Sequence, residues 1–156
     1  MREKTRILIV EDDTPLAMLM ITVLMRVGFE VEAAHSGKKA LELATEYKFD
    51  LITLDIGLPD ASGFEICSEL KQRHISRHTP IIIVSANPLP EDMAEGTKRG
   101  AVDFITKPFD ITDFIYKVIF HTKANAQQTT AFESMEVATD ANAESFRRSE
   151  NNFCAS

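Results

Sequence analysis

Five short apolar runs alternate with five helix-type segments, and this alternation constrains the fold more than any other feature of the chain. Strands that alternate with helical patterns predict βαβ units and a parallel sheet. The runs at 7–10, 51–55 and 80–84 are almost continuously apolar, as expected for strands covered on both faces. The run at 29–34 sets Phe29, Val31 and Ala33 against Glu30 and Glu32, which predicts a more exposed strand. A fifth run, 102–106, leads into Lys107.

The punctuation between runs is also readable. Thr14-Pro15 reads as an N-cap followed by proline at the first helical position, and Gly28 is a natural stop. Ser36 caps a second helix to about Tyr47, with Ala40, Leu41 and Ala44 turned inward. A third helix covers 64–72. A fourth covers 91–99 and is ended by Gly100. The last starts at Asp110 or Thr112 and reaches Lys123.

With 156 residues there is material for one domain and a substantial core. The net charge is −7, with 19 acids against 15 bases up to residue 123 and 5 against 2 beyond it. Both parts are acidic, which argues against direct nucleic-acid binding, where a basic patch is expected. Cys67 and Cys154 read as reduced thiols rather than a disulfide framework. The first six residues are charged, and no apolar run approaches membrane-spanning length, so a cytoplasmic location without membrane insertion is expected. From Ala124 to Ser156 the composition turns to Ala, Asn, Gln, Thr, Ser and Glu with scattered Phe132, Met135, Val137, Phe146 and Phe153. The expected organisation is a domain over 1–123 and a polar, disordered tail over 124–156, with room for a weak helix around 131–148.

Four of the strand-type runs end on polar groups able to share one site: Glu11-Asp12-Asp13, Asp55, Ser85 and Lys107. In an open α/β sheet, ligand chemistry lies just outside the carboxyl ends of the strands. Taken singly, each has a bland reading as a solvated turn, a strand-end cap or a surface charge. Several carboxylates folded into one cleft call for a cation, and oxygen ligands select a hard ion such as Mg²⁺. Asp12 and Asp55 would be direct ligands with the carbonyl of Gly57, and Glu11 would act through water. Asp55 would also be the nucleophile toward phosphorus. Lys107 would neutralise charge on the transferring group. Ser85 would donate to a phosphoryl oxygen, and Ala86 leaves it room.

The ordered set of the acidic pair, Asp55 with its Leu58-Pro59 turn, Ser85, and Gly-Ala-Val-Asp-Phe-Ile-Thr-Lys-Pro-Phe at 100–109 resembles the receiver domain of two-component response regulators. The resemblance covers about residues 5–123, with separations of 43, 30 and 22 positions between Asp12, Asp55, Ser85 and Lys107. It implies a flavodoxin-like three-layer α/β sandwich, a five-stranded parallel sheet of order 2-1-3-4-5 with five helices. It implies that the pair is Glu11 and Asp12, with Asp13 entering the helix, and that the peptide before Pro108 is cis. Phosphorylation of Asp55 would draw Ser85 inward and let the Phe104 ring bury itself, repacking the face of helix four, strand five and helix five. Phe104 stands where a tyrosine would carry a hydroxyl, and Gly57 replaces a larger residue, which bears on water's access to the phosphoryl group. The implied partners are a sensor histidine kinase or histidine phosphotransfer protein and a downstream protein effector, with room for a phosphorylation-dependent dimer. The only chemistry implied is the domain's own Mg²⁺-dependent phosphorylation and dephosphorylation.

Residues 16–27 carry one charge in twelve, where a surface helix normally keeps a polar face. Deeper burial would explain this, and so would docking of a kinase or phosphotransfer domain through adaptable methionines. Three other functions compete. A phosphate-independent binding module on the same fold needs none of the four chemical groups present here. An aspartyl-phosphate phosphatase would want an acid two residues after Asp55, where Gly57 stands. A flavin protein would want a hydroxyl- and glycine-rich first loop, where three acids stand.

Overall fold

The computed structural model describes residues 4–86, 88–122 and 133–134. Ten elements alternate: β1 (Arg6–Val10), α1 (Thr14–Val27), β2 (Glu30–Ala34), α2 (Gly37–Glu46), β3 (Leu51–Asp55), α3 (Gly63–Gln72), β4 (Ile81–Ser85), α4 (Pro90–Lys98), β5 (Asp103–Thr106) and α5 (Ile111–Thr122). The strands form one parallel sheet in the order β2-β1-β3-β4-β5. Fold class and strand order are therefore as expected. The expected tail helix lies outside the described residues apart from 133–134, which are helical.

Successive strand residues point to opposite faces, so the apolar runs feed two cores. On one face Leu8, Val10, Ile52, Leu54, Ile81 and Ile83 meet Ala40, Leu43, Ala44, Ile66 and Leu70 of α2 and α3. On the other, Ile7, Ile9, Leu51, Ile82, Val84 and Ile105 meet Met20, Leu24, Phe114, Ile115 and Val118 of α1 and α5. Each of these large side chains, removed from water, stabilises the fold by about 2 kcal/mol before conformational entropy is set against it. The exposed alternation expected for β2 is present, with Glu30 and Glu32 outward at the sheet edge.

Several boundaries differ from the sequence reading, each for a local reason. Asp13 rather than Thr14 caps α1, because its carboxylate accepts the Leu16 N–H at 3.1 Å. Phe29 lies outside β2: its N–H donates to the Leu24 carbonyl at the end of α1, where Gly28 takes the left-handed φ of 102°. Leu43, not Leu41, joins Ala40 and Ala44 as the fully buried set of α2. α4 starts one residue early, with the Asp92 carboxylate accepting the Leu89 N–H at 3.1 Å. Asp110 caps α5 by accepting from Thr112 and Asp113. No helix among the described residues is long and apolar enough to cross a membrane.

Candidate functional site

The carboxyl ends of β1, β3, β4 and β5 lie side by side, because a parallel sheet in register puts all its strand ends on one edge. Val10 pairs with Leu54, Asp55 with Val84, and Ser85 with Thr106. Glu11, Asp55, Ser85 and Lys107 therefore meet at this edge, although 96 positions separate the first from the last.

Oxygens of Glu11, Asp12 and Asp55 all lie within 4.8 Å of one another. The Lys107 Nζ sits 2.8 Å from Glu11 Oε2 and 3.2 Å from Asp55 Oδ2. Asp55 is 7% exposed, and its Oδ1 accepts the Gly57 N–H at 2.9 Å. Asp12 is exposed, which leaves the cluster one open side. The neighbouring Asp13 is occupied in capping α1, so the two acids after Glu11 have separate tasks. Ser85 is buried at the end of β4, and its carbonyl accepts the Lys107 N–H at 2.8 Å. The Lys107–Pro108 peptide is cis.

The electrostatics follow from three acids sharing one cation. Burial pushes the Glu11 carboxyl above its ordinary 4.5; the Lys107 hydrogen bond pulls it back and the Asp55 charge pushes it up again. Burial also works against the Lys107 ammonium, but the Glu11 hydrogen bond and the charges of Asp55 and Glu11 outweigh it, so its pKa rises above 10.5. The cleft holds more negative charge than one lysine offsets. An all-oxygen donor set with that surplus fits a hard divalent cation.

Lys107→Ala removes this counter-charge from Glu11, whose side chain is 1% exposed. Without a divalent cation the variant should lose about 2 kcal/mol at pH 7, below the full value for a broken buried pair because the ammonium is partly solvated. The deficit should shrink in acid. Glu11 in the folded chain titrates above 4.5, so the folded state takes up its proton first, and stability rises as pH falls through the window just above 4.5. Urea melts at pH 7 and pH 5 check this; equal deficits at both would contradict it.

Phe104 is half-buried, its ring against Ile83 and α4. α4 admits the ring because residue 96 is glycine: a Cβ there would fall 2.7 Å from Phe104 Cζ and 2.8 Å from Ile83 Cδ1. Around the Phe104 backbone, Lys117 donates to its carbonyl at 2.9 Å, and His121 Nε2 lies 2.9 Å from Asp103 Oδ2. At Gly57 the site is open: a Cβ there would meet only Asp55 Oδ1, at 3.6 Å.

Sequence reasoning did not single out Gly96, the Asp103–Lys117–His121 group or Asp60, whose carboxylate holds two N–H groups of α2. None carries a local signal, because each acts on an element distant in sequence.

A family model for the response regulator receiver domain matches residues 7–119. Response regulator ArlR of Staphylococcus saprophyticus is 40% identical over 114 residues, 73% of this chain and 50% of ArlR. The Staphylococcus aureus ArlR is 38% identical over the same length. The chain thus spans about half the length of the curated relatives it matches. Among solved structures, the chemotaxis protein CheY4 of Vibrio cholerae gives a TM-score of 0.72 at 28% identity, covering 74% of this chain and 97% of CheY4. The receiver domain of a Pseudomonas aeruginosa sensor histidine kinase gives 0.72 at 25% identity, covering 78% of this chain and all of that one. It was solved with a magnesium ion coordinated in its active-site cleft.

Proposed function

This chain belongs to the response regulator receiver domain family, and on that footing we propose that it is a phosphorylatable switch, taking a phosphoryl group onto Asp55 from a partner's phosphohistidine. The observation that carries the reading is Asp55 itself. One of its oxygens is held by the Gly57 N–H, the other faces the Lys107 ammonium, and two further acids lie beside it.

An Asp55 oxygen attacks phosphorus, and the new O–P bond forms as the P–N bond to the donor imidazole breaks. The bonding pair stays on the imidazole nitrogen. Lys107 meets the negative charge on the transferring group, which is most of what this reaction asks of a protein. Mg²⁺, held by Asp12, Asp55 and the Gly57 carbonyl and by Glu11 through water, would neutralise the remaining charge on the phosphoryl oxygens. Ser85 then donates to a phosphoryl oxygen, and the Phe104 ring moves deeper against Gly96. The face of α4, β5 and α5 carries the change to a protein effector or to a second copy of the chain. The open position at Gly57 gives water a route to the phosphoryl group, so the chain also reverses its own modification. The setting is the cytoplasm, where phosphohistidine donors work. Incubation with Mg²⁺ and acetyl phosphate should add one phosphoryl group per chain, and chelation should prevent it. No uptake at millimolar Mg²⁺ would overturn the reading.

For the donor, α1 is the docking element. Met18, Leu19 and Met25 are exposed by 58%, 45% and 59% on a helix that starts beside Asp12. Such a stripe suits adaptable apolar contact with a partner helix. The double variant Met18→Glu/Met25→Glu should slow transfer from a phosphohistidine domain about tenfold or more, since two buried contacts together exceed 1.4 kcal/mol. Uptake from acetyl phosphate should be unchanged. Equal rates from the protein donor would remove α1 from the interface.

A further inference from the structure

The loop between β3 and α3 starts at the acceptor aspartate, and one side chain at its apex ties it to a different helix. Asp60 Oδ1 accepts the Gly37 N–H at 2.9 Å, and Oδ2 accepts the Lys38 N–H at 3.0 Å. These are the first two N–H groups of α2, which have no partner within their own helix. Ser36 caps the same helix separately, through the Lys39 N–H at 3.1 Å. The two hydrogen bonds hold the Asp60 carboxyl below its ordinary 3.8, so it is a carboxylate at neutral pH. The contact is tight beyond these bonds: a Cβ at Gly37 would fall 2.7 Å from Ile66 Cδ1 of α3.

The loop is itself closed. Gly57 bridges to Ser62, and the Gly63 N–H donates to the Ile56 carbonyl at 3.1 Å. The N–H of Gly57, the second residue of the loop, grips Asp55 Oδ1 at 2.9 Å. A short chain of contacts therefore runs from the start of α2 through Asp60 and the closed loop to the Asp55 carboxylate. We propose that Asp60 is a positioning residue for the phosphorylation site, clamping the β3–α3 loop to α2 so that Gly57 holds the Asp55 carboxylate in the orientation the metal and the phosphoryl group require. The proposal rests on the function proposed above.

The test separates a clamp from a helix cap. Asp60→Ala, Asp60→Asn and Ser36→Ala are titrated with MgCl₂ by amide NMR, and exchange of the Gly57 amide is followed in the same samples. Asp60→Ala should weaken Mg²⁺ binding about tenfold, as loss of a supporting residue behind a ligand does, and should speed Gly57 exchange. Asp60→Asn keeps one acceptor oxygen and should fall between it and wild type. Ser36→Ala loosens the same helix without touching the loop, so its melting temperature should fall while Mg²⁺ affinity and Gly57 exchange stay at wild type. If Asp60→Ala matches Ser36→Ala in both readouts, Asp60 only caps α2 and the proposal fails. A wild type that binds Mg²⁺ but takes up no phosphoryl group would sink the function, while the titrations still decide the clamp.

Discussion

Asp55→Asn takes up no phosphoryl group from acetyl phosphate in Mg²⁺, yet folds at least as well as wild type: that is the expected result for the acceptor. The amide cannot act as a nucleophile, so the loss is complete rather than graded. The fold should survive because Asn keeps a carbonyl oxygen for the Gly57 N–H. The charge removed is one the metal-free cleft carries in excess, since the Asp55 charge helps push the Glu11 carboxyl upward. The melting temperature without Mg²⁺ should therefore match or exceed wild type. Intact-mass spectra and thermal melts on one preparation read both effects. Residual uptake would place the acceptor elsewhere, and a collapsed fold would mean that the carboxylate is a structural partner.

Gly63→Ala should be strongly damaging for a change of one methyl group. Gly63 opens α3, and a Cβ there would lie 2.4 Å from Ile56 Cα, 2.6 Å from the Asp55 carbonyl oxygen and 3.0 Å from the Ile56 nitrogen. These are backbone atoms at the end of β3, not the tip of a flexible side chain. Relief requires α3 to move away or β3 to shift, and the second displaces Asp55. The expected cost is about 3 kcal/mol, at the upper end for overpacking, together with weaker Mg²⁺ binding. Denaturant melts and Mg²⁺ titration of Gly63→Ala check it. Stability within about 0.5 kcal/mol of wild type, the range of ordinary surface changes, would show that the two elements separate freely.

What could be read in advance divides along physical lines. The strands followed from runs such as 51–55, because a mostly apolar run between glycine- and proline-bearing loops has few other solutions, whereas their order came only from the resemblance to receiver domains. Asp55 and Lys107 were legible as a pair because parallel strands bring their carboxyl ends to one edge, whatever their separation in sequence. The cap of α1 lies one residue before the expected Thr14, because Asp13 and Thr14 are both good caps and the choice turns on which oxygen reaches the Leu16 N–H. Phe29 read as strand because its alternation with Val31 is real. The helix before it claims its N–H instead. Asp60 and Gly96 stayed silent for a deeper reason. A carboxylate that caps a helix twenty-odd positions upstream, and a glycine that makes room for a ring on another element, are visible only once helices lie side by side.

On the proposed function, the loops after β1 and β3 gather one divalent cation beside the Asp55 oxygen, with Asp12 and not Asp13 in the cluster. Calorimetric titration of MgCl₂ into wild type, Asp12→Asn, Asp13→Asn and Asp55→Asn is the decisive measurement. One ion per chain is expected for wild type and for Asp13→Asn, whose amide still caps α1. Binding should weaken by at least about tenfold in both Asp12→Asn and Asp55→Asn. Binding that survives in Asp12→Asn and disappears in Asp13→Asn, or no binding in wild type, would contradict this assignment.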